Sequence, residues 1–123
     1  MERNDLGANG ADRFWFAMQK AIEPVGEARS DYDIYAALAE RLGFKEAYTE
    51  GRSEMDWLRH LYGQAGQRAA ERGLEVPDFD QFWEIGHVEF PPPEAPQVLF
   101  QAFRAEPETN PLRTPSGKIE IFS

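Results

Sequence analysis

The apolar positions of the chain fall into blocks, and most of the blocks repeat every three to four residues. Residues 1–11, MERNDLGANGA, precede the first block and read as a polar, Gly-rich loop. Asp12 then offers a helix N-cap. Phe14, Ala17, Met18 and Ala21 recur at helical spacing, Trp15 and Ile22 widen the apolar face, and Pro24 ends a predicted helix near Ile22. A second helix opens at Ser30, with Asp33 three residues on as the acidic variant of a capping box. Ile34, Ala37, Leu38 and Leu42 make one face, and Gly43 closes it. A third helix repeats the device with Ser53 and Asp56. Its apolar side is Trp57, Leu58, Leu61, Tyr62, Ala65 and Ala69, Gly63 and Gly66 weaken its middle, and Gly73 ends it. A short fourth helix is capped by Asp78, with Gln81 at the reciprocal position and Phe79, Phe82 and Trp83 as anchors.

The pattern changes after residue 86. EFPPPEAP reads as extended, polyproline-like chain, because proline removes donors and fixes φ. VLFQAFRA and KIEIF are strand candidates separated by the turn-rich loop 106–117, and they are expected to pair antiparallel. The predicted fold is therefore mainly α with a small C-terminal antiparallel two-stranded β element. Its parts are a polar loop over 1–11, a helical region of about four helices over 12–86, a Pro-rich extended linker over 87–96, and a two-strand β element with a long loop over 97–123.

Composition supports a folded chain. It has 123 residues, of which 41% are hydrophobic and 13% aromatic, enough for a real core. The net charge of −9 and a pI near 4.7 speak against a generic nucleic-acid face, which needs clustered Lys and Arg. There is no cysteine, so disulfides and thiolate metal sites are excluded. No apolar run approaches the ~18 residues of a membrane span. The N-terminus has no signal-peptide pattern.

Most catalytic signatures are missing: no GxGxxG, P-loop, HExxH or GxSxG occurs. His60 and His87 are the only histidines, and they are far apart. His60 reads as a helix-edge residue and His87 as a loop residue, a poor basis for zinc. The acid pairs Asp31/Asp33 and Glu54/Asp56 sit in first helical turns, where the helix dipole accounts for them. The aromatics and acids of DFDQFWEIG could suggest a sugar site, but a capped helix with core aromatics explains them. The densest polar constellation is Glu2 to Asp5, followed by GANG. Arg, Asn and the amides of a Gly-rich turn can hold an anion or a polar heterocycle, while the bland reading is a frayed terminus.

Four stretches, in order, resemble one family: ERNDLG, AMQKAIEPVGEARSDYDIYAALAERLG, PDFDQFWEIGHVEFP and NPLRTPSGKIEIFS. Together they are similar to an internal segment of the bis-molybdopterin oxidoreductases of the dimethyl sulfoxide reductase type, and most of all to the biotin sulfoxide and trimethylamine N-oxide reductases. The resemblance implies that the chain is an excerpt of a larger α/β enzyme, in which the last strand leads on towards a C-terminal β-barrel. It implies a parent that reduces S-oxides or N-oxides by oxygen-atom transfer at molybdenum held by two molybdopterin guanine dinucleotides. The serine ligand of that metal would lie upstream, so Ser30, Ser53, Ser116 and Ser123 are not assigned to it. By position, Arg3, Asn4 and Asp5 are expected near the cofactor in the parent: Arg3 to bind an anionic group, Asn4 to bond a pterin or backbone edge, Asp5 to fix Arg3. No catalytic or metal-binding residue is assigned to the chain, no cofactor is expected on the fragment alone, and its partners would be the remaining domains of the parent. A cytoplasmic location follows from the likeness to biotin sulfoxide reductase, although relatives also occur in the periplasm.

Two other readings compete. One is a stand-alone acidic helical interaction module that anchors a partner through Trp15, Trp57 or Trp83. The other is a small hydrolase using acid pairs, for which no motif speaks.

Overall fold

A computed structural model of the chain describes residues 2–9, 12–93, 95–96 and 98–121. Gly10 and Ala11 of the predicted first loop, Glu94 of the Pro-rich stretch, Gln97 at its boundary and Phe122 of the predicted last strand lie outside the described residues. The chain divides into two compact units, Met1–Pro91 and Pro92–Ser123.

Among its described residues the first unit has a three-stranded antiparallel sheet and four helices. The strands are β1 (Asp5–Ala8), β2 (Phe14–Met18) and β3 (His87–Glu89), in spatial order β1-β2-β3. The helices are α1 (Asp31–Arg41), α2 (Lys45–Thr49), α3 (Glu54–Ala70) and α4 (Phe79–Ile85).

The first predicted helix, over 12–22, is overturned. Phe14–Met18 is the central strand, paired with β1 through Gly7↔Phe16 and with β3 through Trp15↔Val88. A short apolar run such as FWFAM satisfies both periods, and its aromatic content suits a pleated surface. Pairing with β3, some seventy positions away, settles the matter, and no local signal reports it. Alternation sorts the side chains: Trp15 and Ala17 pack on the buried cluster, while Phe16 and Met18 are exposed on the other side. The backbone ladder extends beyond β3, where the Phe90 N–H donates to the Arg13 carbonyl at 2.7 Å.

The core is aromatic. Phe82 is fully buried and stacks on Tyr62 with ring centroids 4.4 Å apart. Phe79 and Trp15 meet Tyr62 edge-on at 5.7 and 5.9 Å, geometries that favour the ring quadrupoles. Leu58 and Val88 complete the buried cluster. The Tyr62 hydroxyl donates to the Pro77 carbonyl at 2.8 Å. Burial, with the nearby Asp78 carboxylate, pushes its pKa up to about 12.

Three helix starts follow the local signals. The Ser30, Ser53 and Asp78 side chains each accept from the backbone N–H three residues on. At Ser53 the box is reciprocal, since Asp56 also accepts from the Ser53 N–H at 3.0 Å. Helix α1 ends as a Schellman motif: Phe44 N–H reaches the Ala39 carbonyl and Gly43 N–H the Glu40 carbonyl. Gly43 takes a φ of +79°, which glycine adopts without steric cost.

The second unit overturns the predicted two-stranded element. Within VLFQAFRA, the residues Gln101–Ala105 form a short helix, α5. Its Gln, Ala and Arg are good helix formers, and the Arg104 N–H donates to the Phe100 carbonyl at 2.8 Å. Among the described residues of KIEIF, none is in a strand. The turn at Thr114–Gly117 does form, with Gly117 N–H donating to the Thr114 carbonyl at 2.9 Å. Local bonds then occupy groups that a ladder would need: Thr114 Oγ1 donates to the Lys118 carbonyl at 2.6 Å. The mainly α description with a C-terminal β pair is thus replaced by helices with an N-terminal-led antiparallel sheet.

Candidate functional site

The N-terminal residues that lead into β1 border a cleft of about 340 Å³ in the first unit. Arg3, Asn4 and Asp5 form one side. Tyr32 of α1, Tyr48 of α2 and the first turns of α3 form the others.

Each of the three sequence-predicted residues has a defined place. Asn4 Oδ1 accepts from the Lys20 N–H at 2.9 Å, so it ties the entry of β1 to the exit of β2. Asp5 accepts from the Leu6 N–H at 2.8 Å and from the Arg3 guanidinium at 2.7 Å. Arg3 also faces Asp31 at 3.6 Å. The structure therefore brings the three together on one wall, with the arginine held between two carboxylates.

The opposite walls are aromatic. Tyr32 and Tyr48 stack with centroids 6.1 Å apart and planes 25° from parallel. The Tyr32 hydroxyl donates to the Arg52 carbonyl. The Arg52 guanidinium lies 4.6 Å over the Trp57 ring and also pairs with Glu50. Trp57 Nε1 is buried and, among the described residues, has no hydrogen-bond acceptor. Such an orphaned donor carries a desolvation cost of roughly 1–3 kcal/mol. The capping box fixes the first turn of α3, and its two hydrogen bonds from Ser53 hold the Asp56 carboxyl below its usual pKa. Glu54, in the same turn, is half-buried against the cleft.

The remaining candidates do not join this site. His60 touches the Trp57 ring edge and the Gln64 amide, and His87 leans on Phe14 across the sheet. Among the described residues, no group of three or more His, Asp or Glu gathers where a metal ion could bind. Tyr32, Tyr48 and Glu54 as cleft walls are not legible in the sequence. Tyr48 lies on α2, a five-residue helix without a side-chain cap, and Glu54 reads there as a dipole partner. The usable signal is weaker: two acid-rich first turns, each adjoining an aromatic residue.

Comparison with known proteins gives this segment its class. Residues 1–41 match the family model described as molybdopterin oxidoreductase. Nearly the whole chain aligns with dimethyl sulfoxide/trimethylamine N-oxide reductase of Rhodobacter capsulatus, 48% identical over 99% of this chain and 15% of the relative. Biotin sulfoxide reductase of Cereibacter sphaeroides is 45% identical over 100% of this chain and 16% of the relative. Trimethylamine-N-oxide reductase 1 of Escherichia coli K12 is 44% identical over 99% and 15%. By sequence the chain belongs to the molybdopterin oxidoreductases. Within them it aligns with the dimethyl sulfoxide, trimethylamine N-oxide and biotin sulfoxide reductases, and it spans about 15% of their length.

The cleft does not fit the phosphate-bearing pterin of that family. A phosphate cradle needs unpaired cations or converging backbone amides. Among the described residues the one lining cation, Arg3, is already engaged by Asp5 and Asp31, and Glu54 adds a further negative charge.

Proposed function

We propose that the chain is a non-catalytic wall segment of a molybdopterin-dependent reductase of S-oxides or N-oxides. The observation that carries the proposal is the alignment of essentially the entire chain, at 44–48% identity, with reductases whose names give those substrates. The family's description supplies the cofactor class, a molybdopterin, and the guanine dinucleotide form in two copies is part of the proposal. When bound, such a cofactor supplies the oxygen-atom transfer, and the surrounding protein supplies orientation and electrostatics. This segment's contribution is positional. Arg3, Asn4 and Asp5 form a rigid, charge-balanced stretch on the cofactor side, and the remaining domains of the parent chain are its partners. The cytoplasmic location is proposed on likeness to biotin sulfoxide reductase.

The test is genetic and then enzymatic. A reading frame running through both ends of the segment into the rest of a reductase supports the proposal. A native start at Met1 together with a stop after Ser123 overturns it. The purified 123-residue chain is expected to contain no molybdenum by elemental analysis. It should also show no reduction of dimethyl sulfoxide or trimethylamine N-oxide with a reduced viologen dye, and turnover by this chain would refute its non-catalytic role.

A further inference from the structure

We infer that the cleft between the N-terminal strand and helices α1–α3 binds an organic cation, an ammonium or guanidinium group. This goes beyond the reductase reading and does not depend on it. Three observations point the same way. The cleft, at about 340 Å³, lies at the small end of the roughly 300–1,000 Å³ typical of ligand sites. Its walls carry the Tyr32–Tyr48 stack and Trp57. Aromatic faces attract cations through the ring quadrupole, and Trp57 already holds one guanidinium, that of Arg52, at 4.6 Å. The charges are unbalanced towards the negative: Asp5 and Asp31 both face Arg3, which leaves the half-buried Glu54 carboxylate, among the described residues, with no ion pair or hydrogen bond. A cation entering between the aromatic rings and Glu54 would meet both the quadrupoles and a carboxylate that has no ion-pair partner among the described residues. An anion would be repelled by the ring faces and by Glu54, and Arg3 is already paired with Asp5 and Asp31.

The cation could be a free small molecule or a Lys or Arg side chain of a neighbouring polypeptide, and the experiment separates these sources. The 15N-labelled chain is titrated with tetramethylammonium chloride at constant ionic strength, with sodium chloride as reference. The reporter is the Trp57 indole N–H signal, identified by its loss in Trp57→Phe. A saturable shift with a midpoint at about millimolar concentration is expected from a few weak contacts, while the Trp15 and Trp83 indole signals stay in place. Glu54→Gln, an isosteric change at the rim of the cleft, should weaken binding about three- to fivefold, the size of a partly exposed ion pair. A response that rises linearly, one reproduced by sodium, or unchanged binding in Glu54→Gln would overturn the inference. Repeating the titration with Nα-acetyl-lysine amide assigns the source. Tighter binding than tetramethylammonium marks a side-chain socket, and weaker binding marks a small-molecule site.

Discussion

Helices α1 and α3 begin with the same device, a serine followed three residues later by aspartate, yet they end in different environments. Helix α3 buries Leu58, Tyr62 and Ala69. Helix α1 buries only Ala39, and its apolar stripe Ile34, Leu38 and Leu42 is 48%, 49% and 62% exposed. Both stripes have the spacing of a core-facing helix. The difference is the company each keeps: α3 packs on α4 and β1, whereas α1 packs on the five-residue α2. A cap fixes where a helix starts, but only a neighbour decides whether its apolar face is buried.

The largest test of that contrast is at the centre of the α3–α4 core. Phe82 is fully buried and stacked on Tyr62. Phe82→Ala removes the stacking and leaves a cavity, with an expected loss of about 3–5 kcal/mol. Urea unfolding followed by circular dichroism measures it. A loss under about 1 kcal/mol would mean that the aromatic cluster is not the stabilising centre of the first unit.

A smaller effect sharpens the comparison at the caps. Ser53 takes part in a reciprocal box. At Ser30 the hydroxyl donates back to the Asp33 carboxylate at 2.8 Å, with no reciprocal backbone bond. Ser53→Ala should therefore cost about 1 kcal/mol, and Ser30→Ala less. The two also differ in acid. Because Asp56 is held below its usual pKa when folded, its contribution is present above the unfolded aspartate value. It fades as pH falls through the lower folded value. Ser53→Ala removes the hydroxyl bond that does most to depress it, so stability should decline less steeply below about pH 4 in this variant than in the parent chain. Denaturation midpoints at pH 7 and pH 3 decide it, and equal declines would show that the Ser53 hydroxyl contributes nothing to the pH dependence of folding.

What was legible follows the same division between local and distant causes. Ser30, Ser53 and Asp78 could be read as caps because each acts on a backbone N–H three residues away. The Gly43 stop could be read for the same reason. Phe14–Met18 could not be resolved as a strand, because its assignment rests on β3 and on the core that Trp15 and Ala17 face. KIEIF alternates like a strand, but a strand needs a partner, and the one expected for it contains the helix Gln101–Ala105. At the site, Arg3 and Asp5 are close in sequence and their pairing was foreseeable. Tyr32, Tyr48 and Trp57 come from three helices, and only the tertiary fold makes them neighbours.

The smallest expected effect is the most discriminating. Leu38→Ala replaces a half-exposed side chain with a residue of at least equal helix propensity, so stability should change by no more than about 0.5 kcal/mol. Leu58→Ala on α3, at the same level of chemistry, should cost about 2–5 kcal/mol because that side chain is buried. Equal losses at the two positions would break the comparison and show that the α1 stripe is already covered in solution. Dependence of the Leu38 effect on protein concentration would then identify a second copy as the cover. Under the proposed reductase reading, the same Leu38→Ala change in the full-length enzyme should move from the surface scale towards the core scale. The stripe has the spacing of a buried face and, among the described residues of the first unit, lacks only a partner. A Leu38 effect that stays near zero in the full-length enzyme would place α1 on its outer surface.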